Sequence, residues 1–195
     1  LEAMLGDEHA NVLWDISQES VDLVRNLSAD MDDCGVVDGI IHTAHRERYV
    51  SEEHSYTDHL RDKYGYDKIQ NLSREETREL VNSPAYYGAT LDMGAGHIDP
   101  LRYALGLGRK CVDLGVAIYE QSKVIDVQPG DPAVIKAESG SVRAKFVVLA
   151  CNGYLGNLNS RVAARVMPIN NFIIATEPMS KDAQEALIKN NHAVA

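Results

Sequence analysis

Apolar positions at the start of the chain repeat at helical spacing, and further on the repeat shortens to that of strands. Ala10, Leu13, Trp14, Val21, Val24 and Leu27 fall on or near one face of a long helix that Asp7 can cap. Trp14 reads as a core side chain rather than a binding platform. Cys34-Gly35 breaks the repeat, and Val36–Thr43 predicts a strand. Ser51 opens a charged helix that runs to Tyr64 and stops at Gly65. Ser73-Arg-Glu-Glu76 has the spacing of a capping box, with the serine and glutamate each satisfying a backbone N–H of the other, for a short helix ending near Val81-Asn82. Tyr86–Met93 predicts another strand.

The most ordered stretch runs from Gly94 to Gly153. Asp99 is placed to cap a helix whose first residue, Pro100, has no N–H to leave unpaired. Leu101, Ala104, Leu105, Gly108, Cys111 and Val112 then recur on one face, and Gly115 ends the helix. Val116–Tyr119 and Phe146–Ala150 are apolar runs that predict buried parallel strands, with the helix packed on their sheet. Between them Ser122–Val127, Ala133–Ala137 and Val142–Lys145 predict an antiparallel meander, turned at Pro129-Gly-Asp-Pro and Ser139-Gly-Ser. Gly153 lets backbone approach a ligand closely. Pro168–Thr176 alternates as a strand, and Ser180–Asn190 reads as helical. The fold class is α/β with mixed α+β parts.

Composition narrows the partners. The 195 residues carry a net charge of −10, which disfavours nucleic acid or an anionic membrane. No apolar run approaches a membrane span, and the start does not look like a signal peptide. Cys34, Cys111 and Cys151 show neither metal spacing nor an even count, so a reducing cytoplasm is expected. His42 and His45, and His54 and His59, have no converging carboxylates and read as structural or solvated, so no metal is expected. Leu1-Glu-Ala-Met and the closing Ala193-Val-Ala read as the ends of an excised piece.

Gly94-Ala-Gly-His-Ile-Asp begins like the G-x-G-x-x-G of dinucleotide sites. Asp99 stands where the third glycine is needed for close packing of helix on strand, so the segment reads as a loop into a helix. His97 in that loop is the candidate catalytic residue, since a neutral imidazole there could orient a substrate or accept a hydrogen bond. Cys151 reads as a packed small residue, without a neighbouring cation in sequence to make it reactive.

The order Gly96-His-Ile-Asp-Pro, helix, Gly115-Val-Ala-Ile-Tyr-Glu-Gln-Ser-Lys-Val, meander, Val147-Val-Leu-Ala-Cys-Asn-Gly-Tyr resembles the D-amino-acid-oxidase-like family of FAD-dependent oxidoreductases. Ala150-Cys-Asn-Gly-Tyr-Leu-Gly and Arg165-Val-Met-Pro-Ile-Asn-Asn-Phe resemble its gamma-glutamylputrescine oxidoreductase-like branch. The resemblance covers most of the chain and is densest from Gly88 to Pro178.

It implies a partial Rossmann-like FAD-binding domain with an inserted meander, plus part of an α+β substrate domain. Residues 1–96 and 155–195 would belong to the substrate domain, and 97–154 to the back half of the FAD domain. Val124 would meet the adenine through its backbone N–H and C=O. Ala150, Cys151 and Gly153 would line the ADP-ribose side. The family's phosphate-binding glycine motif would lie upstream, so the chain alone is expected to hold FAD weakly or not at all. The implied chemistry is oxidation of a C–N bond of an amine or amino acid by hydride transfer to FAD, with a γ-glutamylated polyamine as the branch's substrate class. A non-catalytic binding or assembly module, and a flavin dehydrogenase with a partner acceptor, remain as alternatives. An exposed sheet edge would favour a homo-oligomer.

Overall fold

Gly6, at φ +77°, separates a one-turn helix α1 (Glu2–Leu5) from the long α2 (Asp7–Ser28). Gly6 holds the N-cap position without a side-chain bond, so Asp7 is the first helical residue rather than the cap. The computed structural model describes residues 2–31 and 34–195. They fall into two units, 1–115 with 177–195, and 116–176.

The first unit is built on a four-stranded sheet: β1 (Val37–Thr43), β2 (Ile69–Leu72), β3 (Ala89–His97) and β7 (Ala193–Val194), in the order β2-β3-β1-β7. β1 and β2 both pair antiparallel with β3, and β7 lies parallel to β1. Ile41, Leu72, Val81, Ala89 and Leu91 form a buried cluster, against which Leu80, Tyr86, Ile188 and Val194 pack. Ile41 is fully covered, which is worth about 1.5–3 kcal/mol of apolar burial.

Helix α3 (Glu47–Tyr64) starts a turn earlier than Ser51, because Arg46 is the extended residue before it. Gly65 ends it in the left-handed conformation, at φ +63°. The helix packs on β2 and β3. There Arg61 Nη2 donates to the Ile69 carbonyl (2.6 Å) and His54 Nε2 to the Ala89 carbonyl (3.2 Å). Helix α4 (Arg74–Leu80) carries the expected capping box, with Glu76 N–H on Ser73 Oγ and Ser73 N–H on Glu76 Oε2. Helix α5 (Pro100–Asp113) is capped by Asp99, whose Oδ1 accepts from Leu101 and Arg102 N–H. Its Gly106 meets Met31, which lies just past the end of α2, and is bare because a Cβ there would overlap the Met31 sulfur. Trp14 is half-buried, stacked on Tyr64 at 4.5 Å and edge-on to Tyr66.

The second unit holds the meander, as β4 (Val124–Gln128), β5 (Ala133–Ala137) and β6 (Gly140–Ala144). A 3₁₀ turn (Asn152–Tyr154) and the short α6 (Ser160–Ala163) follow. Three sequence expectations fail here. Val116–Tyr119, Phe146–Ala150 and Pro168–Thr176 form no ladder, so the expected pair of parallel strands under α5 is absent among the described residues. An apolar run becomes a strand only where a neighbour takes its N–H and C=O groups, and no described strand runs beside any of the three. Phe146, Val148, Phe172 and Ile173 are accordingly almost wholly exposed. The apolar face of α5 is exposed as well, at Leu101, Leu105 and Val112. Helix α7 (Lys181–Leu187), capped by Ser180, belongs to the first unit and leads through a 3₁₀ turn (Lys189–Asn191) into β7.

Candidate functional site

His97 lies at the end of a strand, because β3 does not stop at Met93 as its sequence predicts. It continues through Gly94-Ala-Gly-His, pairing Gly96 with Asp38 and His97 with Val37. Glycine is required at 96, where a Cβ would stand 2.5 Å from the Val37 carbonyl oxygen. The register jumps between Asp38 and Ile40, so Met93–Ala95 bulge opposite Gly39. A bulge leaves ladder groups unpaired, and side chains take them over here. Asp92 Oδ1 accepts from the N–H groups of Gly94 (2.9 Å) and Ala95 (3.2 Å) and from the Tyr66 hydroxyl (2.6 Å). Burial, followed by the bond to Asp92, pushes the Tyr66 hydroxyl pKa well up, so it stays a donor. Arg25 reaches over from α2, with Nη2 on the Gly94 carbonyl (3.1 Å) and on Asp38 Oδ1 (2.9 Å).

Two histidines close this end of the sheet. His97 Nε2 meets the Asn191 carbonyl at 2.7 Å, and His192 Nδ1 meets the Asp38 carbonyl at 2.9 Å. A carbonyl only accepts, so each of these nitrogens carries hydrogen and the other nitrogen of a neutral ring bears the lone pair. On His97 that is Nδ1. Arg25, Val21, Val24, Val36, Ile98 and His97 line a pocket of about 290 Å³ beside the bulge. Sequence reading missed Arg25, Asp92 and His192, whose partners are 69, 26 and 154 residues away for Arg25–Gly94, Tyr66–Asp92 and His192–Asp38. The one local signal was an aspartate two residues before a Gly-x-Gly.

The other sequence-derived residues, Val124, Ala150, Cys151 and Gly153, all belong to the second unit. Val124 pairs with Ala137, and Glu138 N–H donates to the Lys123 carbonyl at 3.2 Å. The Lys123 carbonyl thus faces β5, and the Val124 N–H of the same planar peptide faces away from it, just before the register shifts between Val124 and Asp126. β4 is an edge strand, and that N–H faces its open side. Cys151 lines a small cavity of about 180 Å³ with Leu149, Asn152, Leu155, Val162 and Val166. Asn152 takes a left-handed conformation (φ +47°) to start the 3₁₀ turn, while Ala150 and Gly153 are exposed. No atom stands within 4 Å of where a Cβ on Gly153 would be, so the approach to its backbone is open.

A second polar cluster joins α1 to α3. Glu2 Oε1 accepts from His59 Nε2 (2.9 Å), Tyr64 Oη (2.7 Å) and Lys63 Nζ (3.2 Å), and Lys63 also meets Asp7 at 2.6 Å. The His59 bond, then those of Tyr64 and Lys63, hold the Glu2 carboxyl near a pKa of about 2. Its folded pKa lies below the ordinary 4.5, so its contribution to stability is complete above about pH 4.5 and is lost as pH falls through about 2. Urea midpoints of the protein and of Glu2→Gln should therefore differ by a constant amount above that range and converge below it. A difference independent of pH would remove Glu2 as the titrating group. Among the described residues no His, Cys, Asp or Glu cluster could hold a metal ion, and no helix is long and apolar enough to cross a membrane.

The chain belongs to the family of FAD-dependent oxidoreductases (DAO), whose model matches residues 3–194. It is 31% identical to the gamma-glutamylputrescine oxidoreductase of Escherichia coli K12, over 100% of this chain and 46% of that protein. It is 30% identical to the probable oxidoreductase OrdL of Haemophilus influenzae, over 97% of this chain and 46% of the relative. The chain thus spans less than half the length of these relatives. Among solved structures, it resembles glycine oxidase from Geobacillus kaustophilus with a TM-score of 0.61 at 23% identity, over 76% of this chain and 41% of that one. L-proline dehydrogenase from P. horikoshii gives a TM-score of 0.63 at 18% identity, over 75% and 40%. At these identities the structures establish a shared fold, the mixed α/β fold of flavoenzymes with a Rossmann-like FAD-binding part.

Proposed function

We propose that this member of the FAD-dependent oxidoreductase family forms part of a flavoenzyme that oxidises a C–N bond of a small amine or amino acid. The observation that carries the reading is the outward-facing N–H of Val124 on the open edge of β4, within a chain matched to that family over nearly its whole length. An outward N–H on an open strand edge can donate to a ring nitrogen of adenine, and the Val124 carbonyl would accept from its amino group, so the residues present fit the cofactor. Val124 would hold the adenine, and Ala150, Cys151 and Gly153 would line the ADP-ribose side, where the open approach to Gly153 leaves room. FAD supplies the hydride acceptor when bound. Residues 97–154 would serve as the back half of the FAD domain, with 1–96 and 155–195 in the substrate domain. The chain by itself would hold FAD weakly.

His97 would be the catalytic histidine. Its bond to Asn191 fixes the ring and leaves the Nδ1 lone pair to accept a hydrogen bond or a proton from a substrate ammonium. In a flavoprotein that contains this chain, His97→Ala is expected to slow anaerobic flavin reduction at saturating amine by about 10²-fold or more, with flavin content little changed. Stopped-flow absorbance is the measurement. An unchanged rate with lowered flavin content would make the residue structural.

The similarity to gamma-glutamylputrescine oxidoreductase supports a γ-glutamylated polyamine as the first substrate to try. Comparing oxygen uptake with reduction of artificial acceptors separates an oxidase from a dehydrogenase that uses a partner acceptor. Unpaired edges, such as that of β4, and the bare apolar runs beside the meander favour a homo-oligomer. Three free cysteines fit a reducing cytoplasm.

A further inference from the structure

Helix α2 has two faces, and the flavin reading does not use the outer one. Its inner face is committed: Ala10 and Ser28 are buried, Trp14 is stacked on Tyr64, and Arg25 is bound to Asp38 and Gly94. On the opposite side Val12, Ile16 and Leu23 are 54%, 54% and 55% exposed. At about 100° per residue, the three lie within about 40° of one another and form an apolar stripe. Glu8, Asp15, Glu19 and Asp22 follow along one edge of that stripe. All four are exposed, and none is ion-paired among the described residues. The first lysine or arginine of the chain is Arg25, and exposed His9 borders the stripe on its other edge.

A stripe of branched aliphatic side chains bordered by unpaired carboxylates is complementary to a helix with an apolar stripe bordered by lysine or arginine. Self-pairing about a twofold axis across the helix fits it poorly, because the acidic edge of one copy then lies against the acidic edge of the other. We propose that the outer face of α2 docks a basic amphipathic helix of a partner protein, with Val12, Ile16 and Leu23 as the apolar seat. Glu8, Asp15, Glu19 and Asp22 select the charge. The site is independent of the flavin reading and stands if that reading falls.

The test uses the whole chain and two designed, dye-labelled peptide helices, each with one stripe of leucines, edged by lysines in one and by glutamates in the other. Fluorescence anisotropy should show the lysine-edged peptide binding at least about tenfold more tightly, with an advantage that shrinks as salt is raised. Ile16→Glu, a good helix former at an exposed position, should weaken it by roughly tenfold or more. Glu19→Lys with Asp22→Lys should abolish the preference for lysine while circular dichroism stays unchanged. Equal binding of both peptides, or of neither, overturns the proposal. A dimer seen by sedimentation and lost in Ile16→Glu would give the face to a second copy. Binding by this chain that a longer protein containing it lacks would give it to an attached segment. Either result also overturns the proposal.

Discussion

Gly39→Ala is expected to destabilise the first unit by about 2–5 kcal/mol, the sum of a strained backbone and an overfilled contact. Gly39 sits at φ +101°, a conformation that residues with a side chain rarely adopt. It faces the bulge of β3, where two residues of β1 span what β3 covers in four. A Cβ there would overlap the His192 ring at Nδ1, the atom that donates to the Asp38 carbonyl. The clash therefore displaces the residue that leads into β7, and with it the parallel pairing of Ala193 and Val194 to Ile40 and Ile41. Urea unfolding followed by Trp14 fluorescence measures the loss. Adding His192→Ala to the alanine variant should recover the part due to the clash and leave the part due to φ. Full recovery would mean that the backbone is not strained, and no loss in the single variant would mean that β1 does not hold this bulge in solution.

The same corner shows what the sequence can and cannot tell. Signals carried by neighbours along the chain were legible: the Ser73–Glu76 capping box, Asp99 before Pro100, Gly65 after Tyr64, and the turns of the meander. Each depends on residues within a turn of one another. Gly94-Ala-Gly-His reads from the sequence as a loop into a helix, because it begins like a dinucleotide fingerprint whose third glycine is replaced by Asp99. Its strand character comes from distant partners: the Val37 carbonyl that needs Gly96 bare, and Arg25, which takes the Gly94 carbonyl. Asp92 takes the two N–H groups that the ladder leaves. Val116–Tyr119 and Phe146–Ala150 failed in the opposite way. Their apolar composition was read correctly, but a strand is a property of a pair, and neither run has a partner among the described residues.

Val124→Pro is expected to raise the FAD dissociation constant of a flavoprotein containing this chain about tenfold, the worth of one lost hydrogen bond to a bound ligand. Proline removes the N–H and nothing else from the donor–acceptor pair proposed for the adenine. Elsewhere in a sheet the substitution would break the ladder, but edge strands tolerate proline where the N–H faces outward. Val124 is such a position, since its N–H points away from β5. The middle strand offers no such position. β5 is paired on both sides, with Ile135 opposite Val127 and Val142, so Ile135→Pro should disrupt the meander and lower stability, with any loss of FAD following from that. The two prolines therefore separate a cofactor contact from a structural one. Titration of the apoprotein with FAD, read by quenching of flavin fluorescence, gives the affinities, and urea midpoints give the stabilities. If Val124→Pro binds FAD as tightly as the parent while the meander stays folded, the adenine does not sit on the edge of β4, and the cofactor is held by other residues.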